Sequence, residues 1–269
     1  MVAPTRGCVV NFRLAPVALL LISQALPAQD GQPPSAQRMR IPLQDGGTRE
    51  VLESIVVPAL INAPFTLTLQ TEWIKAFADG GTQTLINQRR IARDASGRIY
   101  QERWALVPKA VEAKSVMTFI QIADPNRQQL YTCSVFNKTC ELTRYTAQPV
   151  KEFKPQLSPI QPDPARESGM SRETLGEDVI QGLQVTGVRE TTNVAAGAMG
   201  NDRPLIMTRE FWFSPKLGLN LISKRTDPRF GSQTFIVSEL EDSQPDPALF
   251  QPPEGFKITD LRKIAPPSD

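Results

Sequence analysis

Residues 65–73 read Phe-Thr-Leu-Thr-Leu-Gln-Thr-Glu-Trp, and their period of two decides the fold. Phe65, Leu67, Leu69, Thr71 and Trp73 fall on one side of an extended chain, and Thr66, Thr68, Gln70 and Glu72 on the other. That alternation marks a half-buried strand with one solvated face. Asp79-Gly80-Gly81 supplies a turn, Thr82 to Ile91 a returning strand, and Asp94-Ala95-Ser96-Gly97 a second turn. Arg98 to Val107 forms a third strand and Ser115 to Ala123 a fourth, stopped by Asp124-Pro125. Strands about ten residues apart, joined by short turns, predict an antiparallel meander.

The rhythm continues through two short runs around Phe136-Asn137-Lys138, in which Cys133 and Cys140 face each other across a predicted hairpin. Gln148 to Pro164 then holds Pro149, Pro155, Pro159, Pro162 and Pro164. Proline this dense has no place inside a sheet, so the stretch reads as an extended surface excursion within one domain. Strands resume at Leu183 to Val194, Leu205 to Phe213, Leu219 to Thr226 and Ser232 to Leu240. Gln244 to Phe250 reads as one capped helical turn, with Pro247 in its first positions. Thr48 to Leu60 carries two readings: a short helix with Val51, Leu52, Ile55 and Val56 on one side, or an extended segment set by Ile55-Val56-Val57-Pro58. The fold class that results is mainly β, with little helix.

Upstream, Arg6 and Arg13 precede the apolar run Leu14 to Ile22. Nine residues at 1.5 Å rise give roughly 14 Å of helix, about half of a bilayer core, so the run does not span. Small residues follow, with cleavage expected after Ala25 or Ala28, and residues 1–28 read as a secretory signal peptide. Residues 29–47, rich in Gln, Pro, Gly and Asp, read as a flexible leader, and the stretch after it as a single domain over 48–260 with a tail over 261–269. The expected location is the periplasm or the exterior, with no transmembrane segment in the mature chain. Residues 1–28 hold two Arg and no acid, so the mature chain has 30 − 2 = 28 basic residues against 28 acidic ones. A chain of zero net charge is not a nucleic-acid binder by composition. Cleavage also removes Cys8 and leaves an even pair, so Cys133 and Cys140 are the disulfide candidates, with two free thiols on one sheet as the alternative.

Chemistry is sparse. The 269 residues contain no histidine, which removes Ser-His-Asp and Cys-His catalysis and His-ligated zinc. No phosphate-cradling glycine loop, nucleophile elbow or calcium loop is present, and neither a cofactor nor enzymatic activity is expected. Glu177-Asp178 and Glu239 with Glu241 sit in or beside expected turns and read as solvated surface. Arg203, Arg225 and Arg229 lie in or near two turn-rich loops, Gly200 to Pro204 and Asp227 to Gly231; they are candidates for holding an anionic head group. Trp73, Trp104 and Trp212 are candidate liners of an apolar ligand site, with plain core as the alternative.

Phe211-Trp212-Phe213-Ser214-Pro215-Lys216-Leu217-Gly218-Leu219-Asn220-Leu221 resembles the aromatic strand, Ser-Pro turn and glycine-leucine return of the LolA-like lipoprotein-carrier superfamily. Asp246-Pro247-Ala248-Leu249-Phe250-Gln251-Pro252-Pro253-Glu254-Gly255-Phe256 resembles the closing segment of the same proteins, and Asn62-Ala63-Pro64-Phe65 their first strand. The resemblance implies a single curved antiparallel sheet, an unclosed half-barrel whose concave apolar face holds acyl chains beneath helices. It also implies a lipid or acyl-chain ligand, or alternatively an envelope protein as partner. The long helices of the carriers have no counterpart here, and each strong strand has one apolar face, so the expectation is a wide apolar surface short of cover, with Thr48 to Leu60, the turn near Pro247 and the proline-rich loop as its candidate cover beside a lipid or a partner.

Overall fold

The computed structural model describes residues 55–163 and 166–263. The expected signal peptide over 1–28, the leader over 29–47 and the tail beyond residue 263 lie outside the described residues. Thirteen strands make one sheet: β1 (Phe65–Ala76), β2 (Thr82–Arg93), β3 (Ile99–Trp104), β4 (Val107–Pro108), β5 (Met117–Asp124), β6 (Gln129–Ser134) and β7 (Thr139–Arg144). β8 (Gly169–Ile180), β9 (Leu183–Val194), β10 (Leu205–Ser214), β11 (Leu219–Asp227), β12 (Gly231–Glu241) and β13 (Lys257–Asp260) complete it. Among the described residues the only helical pieces are two short 3-10 turns, Pro247–Phe250 and Leu261–Lys263.

The strand order is β13-β7-β6-β5-β3-β2-β1-β12-β11-β10-β9-β8, with β4 paired to β2. Every ladder is antiparallel except β13 on β7, which is parallel. The sheet is large, curved and unclosed, a mainly-β half-barrel. Its centre is the β1–β12 ladder, which joins the two halves of the chain. β7 and β8 therefore lie toward opposite edges, and the proline-rich segment 145–168 runs between them. Its described residues add only isolated bridges, Val150 to Leu60 and Ile160 to Arg172.

Pairing register assigns side chains to faces, because directly opposed residues point the same way. Leu67 opposes Ile91 and Leu69 opposes Val237, so these share an inner face. There Phe65, Leu67, Leu69, Ile91, Leu219 and Leu221 are all at most 1% exposed. Each such side chain contributes roughly 1.5–3 kcal/mol by leaving water. What covers them is extended chain: Ile55, Val57 and Ala59 are buried in the same cluster, Leu60 is buried beside Gly218, and residues 55–60 contain no helix. Of the two readings of Thr48 to Leu60, the described part is therefore the extended one, as β-branched Ile55 and Val57 before Pro58 favour. Phe153 of the proline-rich segment adds a tilted contact with Phe213, ring centroids 6.2 Å apart.

Two of the candidate covers are thus in place, which corrects the expected shortage of cover. The apolar end of the inner face is roofed without helices, because a short β-branched segment and the crossing segment lie along the strands. A second correction concerns its extent. One step beyond Leu69 and Ile91 the same face turns polar: Arg89, Gln101, Gln121 and Ser223 are buried there, opposite or beside Leu69, Ile91 and Phe235. The apolar surface is not wide. Burial, with Arg103 nearby, lowers the Arg89 guanidinium to about 9.

Two strands were not expected. Gly169–Ile180 is a full twelve-residue strand closed onto β9 by a tight turn at Gln181-Gly182, both at positive φ. Glu177 and Asp178 thus belong to a strand, two residues from a turn. β13 is short and pairs in parallel at the other edge.

Candidate functional site

The outer face has its own apolar cluster at the end where β1 begins, formed by Ala92, Tyr100, Ile122 and Phe250. Asp246 caps the covering 3-10 turn by accepting from the Ala248 N–H at 2.9 Å. Toward the other end this face is open and forms a groove of about 860 Å³. Its floor follows from the alternation that buries Phe65, Leu67 and Leu69. The even-numbered residues Thr68, Gln70 and Glu72 of β1 stand opposite Arg90, Gln88 and Ile86 of β2, with Ile236 and Thr234 of β12 on the other side. Trp104, Val107, Lys109, Ala113 and Ser115 form one wall.

The wall is fastened by polar contacts. Lys109 pairs with Glu72 across the groove at 2.7 Å, and its backbone N–H donates to the Thr84 carbonyl at 2.9 Å. The Asn87 amide donates to the Trp104 carbonyl at 2.8 Å, and the Ser115 hydroxyl to the Ala105 carbonyl at 2.6 Å. Glu102 accepts three donors: Trp104 Nε1 at 2.8 Å, the Tyr100 hydroxyl at 3.0 Å and the Arg90 backbone N–H at 3.2 Å. Burial, with Glu102 beside it, pushes the Tyr100 phenol up. The carboxylate thereby fixes the Trp104 indole in place. The lining is mixed: Ile86, Trp104, Val107 and Ile236 offer apolar contact, while Gln70, Gln88 and Arg90 offer donors and acceptors. Nucleophile and base are not paired in it, and among the described residues no cluster of three acidic, His or Cys residues is placed to hold a metal.

The sequence-predicted residues do not converge. Of the tryptophans, Trp104 alone lines the groove. Trp73 is held at the β11–β12 turn, where its Nε1 donates to the Phe230 carbonyl at 2.8 Å and Lys75 stacks on its ring at 3.7 Å. Trp212 lies against Gly187 of β9 and donates to Glu210 at 3.3 Å. Arg203 pairs with Asp202 in its own loop at 3.5 Å, and Arg229 makes two bonds to Asp227, at 2.9 and 2.7 Å. Arg225 sits in the β11 ladder opposite Arg209 and Gln233. Cys133 and Cys140 oppose each other in the β6–β7 ladder and are joined by a disulfide. Gln70, Gln88, Arg90, Glu102 and Lys109 went unmarked as site residues, although the polar side of the 65–73 alternation pointed to the same face.

No family model matches the sequence, and no curated protein does. Solved structures similar to the chain include an uncharacterized conserved protein from Thermus thermophilus, at 12% identity and TM-score 0.39, covering 79% of this chain and 98% of that one. MucB in the Pseudomonas aeruginosa MucA/MucB complex follows at 13% identity and TM-score 0.36, covering 72% of this chain. The alignment spans only 56% of that MucB chain. A putative outer membrane lipoprotein-sorting protein domain from Vibrio parahaemolyticus is also among them, at 11% identity and TM-score 0.18, covering 70% and 89%. Likenesses this distant assign neither family membership nor activity. Among the described residues no helix is long and apolar enough to cross a membrane.

Proposed function

We propose that this chain is an exported, non-catalytic binding protein of the cell envelope, and that its groove takes an extended segment of a protein partner. The basic and apolar composition of residues 1–28 supports export, and the lack of any histidine fits a role without acid–base chemistry. One observation carries the choice of ligand. The apolar part of the inner face, where an acyl chain would lie, is filled by the chain's own Ile55, Val57 and Ala59. The open cavity lies on the outer face and mixes apolar side chains with amides and an arginine, which suits peptide backbone and alternating side chains. A lipid or acyl-chain ligand on the inner face would have to displace residues 55–60 first.

The test is a random peptide library selected against the full chain, with affinities read by fluorescence polarisation. Selected peptides should weaken about tenfold on Trp104→Ala or Arg90→Ala, as loss of a well-packed contact implies, and bind Trp212→Ala unchanged. Peptides indifferent to the groove variants would overturn the reading. So would recovery of no peptide together with stoichiometric phospholipid.

A further inference from the structure

Exposed large apolar side chains gather at one end of the sheet. The connections there join β1 to β2, β4 to β5, β6 to β7, β9 to β10 and β11 to β12, as the antiparallel register requires. Each carries at least one exposed apolar tip: Phe77 at 51%, Val111 at 61% with Val116 at 59% in the same connection, Phe136 at 93%, Met199 at 60% and Phe230 at 59% exposed. The turns at the opposite end, 94–98, 125–128, 181–182 and 215–218, present none, and Leu217 in the last of them is buried. Val179, at 54%, and Val56, at 52% in the segment whose Pro58 and Leu60 lie against Gly218, are the exposed apolar residues toward that end.

Cations accompany the tips. Lys138 lies two residues from Phe136 and Lys114 three from Val111, while Lys75, two from Phe77, stacks on the Trp73 ring. The Arg229 guanidinium lies 5.1 Å from the Phe230 ring centre. Asp202 and Asp227 in these turns are taken up by Arg203 and Arg229, leaving Asp79 and Glu112 against the lysines. Single residues on separate turns make a poor protein interface, which needs a contiguous packed patch of about 1,000 Å². They suit a fluid surface: aromatic tips enter the boundary between headgroups and acyl chains while neighbouring lysines meet anionic lipid.

We propose that this end of the sheet seats on a lipid bilayer, with Phe77, Phe136 and Phe230 entering the interface. The proposal stands apart from the groove and needs no occupant there. The test uses the full chain and vesicles of phosphatidylethanolamine with phosphatidylglycerol, followed by co-sedimentation and by quenching of tryptophan fluorescence with brominated lipid. Trp73 is bonded to the Phe230 carbonyl and reports on this end, while the apolar run near the N-terminus contains no tryptophan. Wild type and Val179→Ser should partition alike and show quenching. Phe77→Ser/Phe136→Ser/Phe230→Ser should partition about tenfold or more weakly and lose the quenching, since each ring withdraws apolar surface from the interface. Near-UV circular dichroism checks that the triple variant is folded. If it is not, Phe136→Ser alone should still lower partitioning measurably, its side chain touching little else. Absence of quenching in the wild type, or equal partitioning of a folded variant, overturns the proposal. So does a variant that keeps vesicle binding but loses a protein partner, which would assign the tips to a protein interface.

Discussion

Arg93 should be the most sensitive single side chain in the domain. It is fully buried, and its guanidinium donates to three backbone carbonyls: Ala63 from Nε at 3.0 Å and Nη2 at 2.8 Å, Pro58 from Nη1 at 2.9 Å, and Leu217 from Nη2 at 2.6 Å. It also lies 4.8 Å from the Phe65 ring centre. One side chain thereby ties the covering segment, the entry to β1 and the β10–β11 turn. Burial lowers its guanidinium to about 10, so part of what the bonds contribute offsets desolvation. Arg93→Met keeps the apolar stem and removes every donor. Pro58 retains the Leu60 N–H, while the Ala63 and Leu217 carbonyls lose their arginine donors. At roughly 1–3 kcal/mol for each orphaned carbonyl, less the relief of not burying a charge, the net loss should be about 3 kcal/mol. At about 2–4 °C per kcal/mol for a domain this size, the midpoint should fall by roughly 10 °C. Urea and thermal unfolding followed by circular dichroism give the totals. Hydrogen exchange at the Leu60 and Ile61 amides gives the local effect, which should be a large loss of protection. A loss under about 1 kcal/mol, or unchanged protection at those two amides, would refute the reasoning.

Gly231→Ala should be more damaging than its size suggests. Gly231 has φ +85°, and a Cβ there would land on the Ile74 carbonyl oxygen, so a drop of several kcal/mol by denaturant melt is expected. Replacing Cys133 and Cys140 together by serine opens a loop with sequence separation 7, for which chain entropy implies a loss of about 2 kcal/mol in the same assay. Glu210 gives a pH prediction. Burial raises its pKa, but hydrogen bonds from Lys224, Arg189 and Trp212 together outweigh that and hold the carboxyl below the usual range. A lowered folded pKa stabilises above the ordinary carboxylate pKa and ceases to do so as pH falls through the folded value. Glu210→Gln should therefore be less stable than wild type at pH 7, with the gap closing in acid; a gap that is constant with pH would contradict the assignment.

The strands with strict alternation were legible, β1 above all, because one face is core and the other water. β8 was not: Gly-Met-Ser-Arg-Glu-Thr-Leu-Gly-Glu-Asp-Val-Ile has no period of two, and its pairing is interrupted by a bulge between Thr174 and Gly176. Proline density said that 148–164 leaves the sheet, but not that β7 before it and β8 after it stand toward opposite edges, since that depends on strand order. Ile55-Val56-Val57-Pro58 left helix and extended chain open, and the burial of Ile55 and Val57 in the inner-face cluster accompanies the extended form. The polar half of the inner face was invisible for a related reason. Arg89 and Gln101 look like solvated positions until pairing places them opposite Leu69 and Ile91 on the same face. The groove needed the register too: Gln70 and Gln88 are eighteen positions apart in the chain and become neighbours only through the β1–β2 ladder.

Native mass spectrometry of the chain purified without detergent tests the central claim most directly. If residues 55–60 fill the apolar end of the inner face, the spectrum should show the bare protein mass, and a peptide selected for the groove should add one equivalent. Phospholipid or fatty acid retained at one equivalent, and released when Ile55 and Val57 are made larger, would contradict the account.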